Sequence, residues 1–304
     1  KGDIYMTLPI IVAPMFLIST PQMVIESSKA GMIGTFPLLN ARPASECAKW
    51  LEEVKTALPN EPWGVNFSCH ERENVRYAED FALIQQYEPP IVITSLGNPA
   101  PVVEAVHAYG GKVYSDVIYV KHAKKAAAAG VDGLILVCAG AGGHGGQLNP
   151  FAFVSEVREF FDGIICLSGA ISTGAHVAAA KLIGADYAYV GTRFMTAAES
   201  NSPEPLKDML IDSDIEDIVY TDAFSGVHAN YLVPSIVANG LDPKNLQSKG
   251  KLDFSVMTDA KAWKDIWSAG QGVGSVKHKQ TIAQIAEQLE REYKEALTKL
   301  TATV

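Results

Sequence analysis

The residues with the most chemical promise lie in one run, Cys138-Ala139-Gly140-Ala141-Gly142-Gly143-His144-Gly145-Gly146, where five glycines surround a single histidine. Glycine lets a backbone pass close to a ligand and take positive φ values that other residues resist. So long a glycine run costs conformational entropy on folding and needs a compensating purpose. Histidine titrates near neutrality, which suits His144 to proton transfer or to orienting an anion. Two further runs, Leu167-Ser168-Gly169-Ala170-Ile171-Ser172-Thr173-Gly174 and Tyr189-Val190-Gly191-Thr192-Arg193-Phe194, join small residues to a following helix. Backbone N–H groups in such turns, with a helix N-terminus behind them, can hold a phosphate. Gly169, Gly191 and Thr192 are the candidates for that role. The run Ala13-Pro14-Met15 offers a stiff turn and an adaptable apolar surface for a flat ring. Asn66 supplies a donor and an acceptor to the edge of a heterocycle.

These residues need a scaffold, and the chain reads as repeated βα units. Strands are predicted at Ile10–Ala13, Met32–Thr35, Gly64–Phe67, Ile91–Ser95, Lys112–Val117, Gly133–Val137, Ile164–Ser168 and Tyr187–Val190. Most are continuous apolar runs, as in parallel strands covered on both faces. Helices are predicted between them at Pro21–Ala30, Ala44–Leu58, Val75–Tyr87, Ala100–Tyr109, Val120–Ala129, Pro150–Phe161 and Thr173–Ile183. Gly31, Gly110, Gly130 and Gly184 fall where helix C-caps are expected. Eight such units indicate an α/β fold, a (β/α)8 TIM barrel, over a doubly wound sheet. The candidate residues then gather at the C-terminal ends of the strands, where barrel active sites lie.

After the eighth strand the alternation stops. A stretch rich in Pro, Asp, Asn, Ser and Gly follows, and a final amphipathic helix spans Thr281–Leu300. The expected division is a barrel of residues 1–196 and 279–304, with 197–278 as an inserted helical and loop subdomain covering the active site. The last helix then serves as the eighth barrel helix.

The 304 residues carry 25 Lys and Arg against 34 Asp and Glu, a net charge of −9. That balance argues against nucleic acid or an anionic membrane as the main partner. It leaves room for a small anionic ligand held by local backbone groups. Hydrophobic residues make up 48%, enough for a large core and too many for a disordered chain. Cys47, Cys69, Cys138 and Cys166 show no paired spacing, so a reduced, cytoplasmic protein without disulfides or a metal site is expected. No secretory signal or membrane-length apolar run is visible. The chain starts Lys1-Gly2-Asp3 rather than with Met, so natural residues upstream are expected.

Read in order, the loops resemble those of the nitronate monooxygenase family, formerly called 2-nitropropane dioxygenases. The matching pieces are Leu8-Pro9-Ile10 with Ala13-Pro14-Met15, Gly64-Val65-Asn66, and Ala126–Gly130 followed by Val131-Asp132-Gly133. Gly142-Gly143-His144-Gly145, Ser168-Gly169, Gly191-Thr192-Arg193-Phe194 and Trp267-Ser268-Ala269-Gly270-Gln271-Gly272-Val273-Gly274 follow. The resemblance implies an FMN-dependent barrel enzyme that oxidises alkyl nitronates with molecular oxygen and needs no metal or reduced nicotinamide. Ala13, Pro14, Met15 and Asn66 would contact the isoalloxazine or ribityl chain. Ser168, Gly169, Gly191 and Thr192 would hold the phosphate, Gly142 and Gly143 would run beside the flavin, and His144 would be catalytic. His144 could take the α-proton of a nitroalkane or orient a nitronate such as propionate 3-nitronate. A homodimer stays open.

Two segments depart from the family pattern. The fifth strand ends Tyr114-Ser115-Asp116-Val117 where a basic or amide side chain is common, and the third continues Phe67-Ser68-Cys69-His70 rather than into a proline-containing segment. Asp116 is read as a cofactor contact, or equally as an ion-pair partner of Arg193 or a lysine. His228, Gln271 and Ser275 are candidates for the substrate cavity, while His107, His122, His176 and His278 read as structural. Two competing functions stand beside the oxygenase. One is a flavin-dependent enoyl-acyl-carrier-protein reductase using NAD(P)H. The other is a flavin-binding barrel without oxygenase activity.

Overall fold

The computed structural model describes residues 8–71, 74–250 and 265–302. Its barrel strands are β1 (Ile10–Val12), β2 (Gly34–Pro37), β3 (Trp63–Ser68), β4 (Ile91–Ser95), β5 (Lys112–Val117), β6 (Gly133–Val137), β8 (Ile164–Ser168) and β9 (Tyr187–Val190). All pair in parallel, in the order β1-β9-β8-β6-β5-β4-β3-β2. An isolated parallel bridge between Ile11 and Ile33 closes the circle, with Val12 N–H donating to Ile33 O at 2.8 Å and Ile33 N–H to Ile10 O at 3.0 Å. The α/β barrel expected from the sequence is the fold. The second strand begins two residues later than predicted, because Met32 and Ile33 precede the continuous ladder that β2 makes with β3.

Strand alternation explains why the apolar runs are unbroken. Ile11, Ile33, Ile91, Ile93, Tyr114, Ile135, Cys166 and Tyr189 fill the barrel interior. Their neighbours Ile10, Val12, Phe36, Val65, Val92, Val113, Leu134, Leu136, Ile165, Leu167 and Val190 pack outward under the helices. The helical layer comprises α1 (Pro21–Lys29), α2 (Ala44–Ala57), α3 (Tyr77–Tyr87), α4 (Ala100–Ala108), α5 (Val120–Ala128), α6 (Pro150–Arg158) and α7 (Gly174–Leu182). Thr20, Asn149 and Thr173 cap α1, α6 and α7 with side-chain oxygens, satisfying donors that a helix start leaves unpaired.

Beyond β9 come α8 (Glu204–Asp212), β10 (Ile218–Thr221), β11 (Ala229–Leu232), α9 (Val233–Ala238) and α10 (Ile282–Ala302). Within the stretch 197–278 read as an insertion, residues 251–264 lie outside the described residues. The long helix α10 packs between α7 and α1. Gly174 makes the α7 contact close, since a Cβ there would collide with the backbone of Leu289 and Tyr293.

The stretch after β9 also holds a feature the sequence reading did not contain. The antiparallel strands β10 and β11 form a sheet with a third short strand, β7 (Gly143–His144), in the order β10-β11-β7. Two residues of the glycine-rich run after β6 are therefore paired in a sheet. Glycine has poor strand propensity, and here the partner strand imposes the conformation.

Candidate active site

The mouth of the barrel has a polar floor on three consecutive strands. Asn66 on β3, Ser95 on β4 and Asp116 on β5 form one hydrogen-bonded row. Asn66 Nδ2 donates to Ser95 Oγ at 2.7 Å and to Ile93 O at 3.2 Å. Ser95 Oγ donates to Asp116 Oδ2 at 2.6 Å. Both protons of the Asn66 amide are thus committed, and what this side chain offers a ligand is its oxygen. Burial pushes the Asp116 carboxyl up to about 6, against the opposing pull of the Ser95 bond. Its Oδ1 is closed off from solvent and has no hydrogen-bond partner among the described residues.

The ion pair considered for Asp116 does not form among the described residues. Arg193 is buried and directs Nη2 to Gln280 and to Gln288, on the side of α10. No lysine or arginine among the described residues bears on Asp116.

The glycine run over this floor is tied down residue by residue. Ala229 pairs with His144 and Asn230 with Gly143 in the small sheet. Asn230 Nδ2 donates to Ala141 O at 2.6 Å, and Gly143 N–H donates to Ser268 Oγ at 2.6 Å. Gln271 N–H donates to Gly140 O at 2.9 Å, and Tyr220 OH to Gly145 O at 2.9 Å. Gly143 has φ +71° with open space where a Cβ would stand, so its backbone is bare on that side.

His144 is held from the same direction, with Nε2 3.0 Å from Ser225 Oγ. Burial lowers its pKa to about 4. The near-neutral titration expected from the residue type is thus not kept, because desolvation disfavours the charged ring. At neutral pH the imidazole is uncharged.

The turns after β8 and β9 supply backbone donors. The N–H groups of Gly169, Ala170, Gly191 and Thr192 find no protein acceptor among the described residues. These are four unspent donors on two adjacent strand ends, a set suited to an anion. Two N–H groups of the helix N-terminus expected to assist are already engaged: Gly174 N–H donates to Glu292 Oε2 at 2.8 Å and His176 N–H to Thr173 Oγ1 at 3.2 Å. Thr192 Oγ1 accepts from Gly270 N–H at 2.9 Å, which leaves its own proton available. Ala13 and Met15 stand beside Gly191, so the apolar turn after β1 borders the same strand end. Asn40 fixes that turn, accepting from Leu17 N–H and donating to Met15 O, both at 2.9 Å.

The remaining candidates scatter. Ser168 ends β8 at the floor's level, and Pro14 is partly exposed between Ala13 and Met15. Gln271 lies over Gly140, while Ser275 follows Gly274, which packs on Asp214. His228 is exposed, its ring stacked on Tyr220 at 5.0 Å. The sequence did not single out Ser95, Ser225, Asn230 or Ser268. Ser95 shares the inward register of Ile91 and Ile93 and was open to that inference. The other three act through pairing between distant segments and carry no local signal.

A sequence model of the nitronate monooxygenase family matches residues 35–292. The chain belongs to the nitronate monooxygenase family. The matched span includes Asn66, Asp116, His144, the turns after β8 and β9, and Gln271. A curated nitronate monooxygenase from Paraburkholderia phytofirmans is 25% identical, over 96% of this chain and 94% of its own length. Among solved structures, a nitroalkane oxidase from Streptomyces ansochromogenes superposes with a TM-score of 0.82 at 23% identity, over 96% of this chain and 97% of that one. FabK from Thermotoga maritima reaches 0.81, also at 23% identity, over 99% of this chain and 97% of that one. These two share the fold of this nitronate monooxygenase relative. Among its described residues, no group of side chains could hold a metal ion, and no helix is long and apolar enough to cross a membrane.

Proposed function

We propose that this chain binds FMN and uses it to oxidise alkyl nitronates, among them propionate 3-nitronate, or their parent nitroalkanes, with molecular oxygen. The observation that carries the reading is one placement: a neutral, half-buried histidine on a pinned glycine strand shares the barrel mouth with a set of unspent backbone donors. The residues fit a flavin phosphate ester. Gly169, Ala170, Gly191 and Thr192 offer N–H groups to the phosphate, and Ser168 stands at the same strand end. Ala13, Pro14 and Met15 give an apolar border, Asn66 offers a carbonyl oxygen, and Gly142 and Gly143 expose backbone. Asp116 completes the floor.

FMN, when bound, supplies the electron transfer and the oxygen chemistry. His144 moves or holds a proton at one ring nitrogen. As a neutral ring it accepts a proton from a carbon acid. An anionic nitronate beside it favours the protonated ring, which then donates to a nitronate oxygen. The β7–β11 pairing and the Ser225 contact fix the position of the ring. The four cysteines are unpaired and buried, in keeping with a cytoplasmic setting.

Two measurements test this reading. The purified protein should show a flavin absorbance spectrum, and it should consume oxygen with propionate 3-nitronate or a nitroalkane. A colourless protein, or a yellow one without oxygen uptake on any nitronate, overturns it. Rapid anaerobic bleaching by NADH favours the reductase reading instead.

A further inference from the structure

Ser225 Oγ lies 3.0 Å from His144 Nε2, and its other neighbours settle the direction of that bond. The hydroxyl has one proton to give. Val227 O, 2.9 Å away, can only accept it. Val227 N and Tyr231 OH stand farther off, each at 3.4 Å. Ser225 is buried, so water does not compete for the proton. With the proton given to Val227 O, the lone pairs of Oγ face the imidazole, and Nε2 must carry the hydrogen.

We infer that Ser225 is a positioning residue that fixes His144 as the Nε2–H tautomer, making Nδ1 the nitrogen whose protonation changes when substrate arrives. The part concerning Nδ1 rests on the nitronate reading; the hydrogen bond does not. Ser225 accepts from Nε2 equally well when the ring is neutral and when it is protonated. One geometry therefore serves both states of a proton-transfer residue. Among the described residues, Tyr231 on β11 reaches Ser225 Oγ at 3.4 Å, and Tyr220 on β10, with His228 stacked on it, bonds Gly145 O next to His144. Burial is the cause of the His144 shift. Ser225 is 81 residues from His144 and follows β10, so the stretch after β9 supplies a contact to the candidate catalytic residue.

The test is nitrogen NMR on protein labelled with 15N-histidine, with the signal assigned through His144→Gln. The wild type is expected to show a protonated Nε2 and an unprotonated Nδ1. Ser225→Ala should give mixed tautomers and about a tenfold lower kcat/KM, with the flavin spectrum intact. Ser225→Thr, which keeps the hydroxyl, should restore both. A wild-type ring protonated at Nδ1, or a Ser225→Ala protein with unaltered tautomer, overturns the inference. The wild-type spectrum alone decides should Ser225→Ala fail to fold. If His144→Gln turns nitronates over at the wild-type rate, the functional reading fails, while the NMR still judges the hydrogen bond.

Discussion

The barrel mouth has two halves built on different principles. The floor row Asn66–Ser95–Asp116 and the turns after β8 and β9 arise from the regular ladder of the barrel. Each polar group there sits at the inward register of its own strand. The half that carries His144 is made by a segment eighty-odd residues downstream, which recruits the glycine run into a second, antiparallel sheet. Electrostatics divides them again. Burial raises the floor's acid to about 6 and lowers the upper half's base to about 4. One cause, desolvation, shifts the two in opposite directions because it opposes charge of either sign. A barrel can thus provide a stable polar floor from its own ladder, while His144 is placed by the segment after β9.

The strongest way to break the upper half is His144→Gln. With nitroalkane substrates, oxygen uptake should fall by about a hundredfold to ten-thousandfold, with the flavin spectrum unchanged. Loss of the flavin together with the activity would instead join the two halves into one unit.

The opposed titrations give the next effect. A folded-state pKa raised from 3.8 to about 6 makes Asp116 bind protons more tightly in the folded protein, so its contribution to stability is lost as pH rises through that window. His144, lowered from 6.5 to about 4, does the reverse, and its contribution is lost as pH falls through its window. Each is about 3 kcal/mol on the scale of the shifts, so in the wild type they nearly cancel between pH 4 and 6. Urea denaturation of Asp116→Asn should show stability rising with pH over that range. His144→Gln should show it falling. Parallel slopes in the two variants would refute the opposition.

Gly169→Val acts on the barrel-built half alone. Its φ of +131° is strained for valine, and the new Cβ would lie 2.8 Å from Ala139 O. Retained FMN affinity should drop about tenfold or more, read by flavin fluorescence on dilution, while the His144 tautomer stays as in the wild type. The smallest expected effect belongs to Asn230→Ala, which removes the donor to Ala141 O. A cost of about 1 kcal/mol in urea denaturation is expected, with a larger fall in turnover than in flavin affinity.

The same two principles explain what could be read from the sequence. The barrel was legible because its strands are continuous apolar runs at regular spacing, and the turns after β8 and β9 because glycines punctuate strand ends. His144 stood out as the one imidazole in a glycine run. The strand character of Gly143–His144 did not, since two residues in such a run have no strand pattern of their own. Ser225 lies between Phe224 and Gly226 with nothing local to distinguish it from a turn serine. The fate of Asp116 was equally hidden. Whether a carboxylate meets arginine or a serine hydroxyl depends on which side of the barrel wall each side chain faces, and Arg193 faces outward to α10.

The position of α10 has a consequence for how the chain is made. The first strand waits for a partner 178 residues later, as Ile10 aligns with Ala188. The gap between α7 and α1 stays open until residues 282–302 emerge from the ribosome. A nascent chain halted before residue 282 would thus expose the apolar flank that Ile282, Ile285 and Leu289 later seal. Such a chain would be a substrate for chaperones rather than a shorter enzyme.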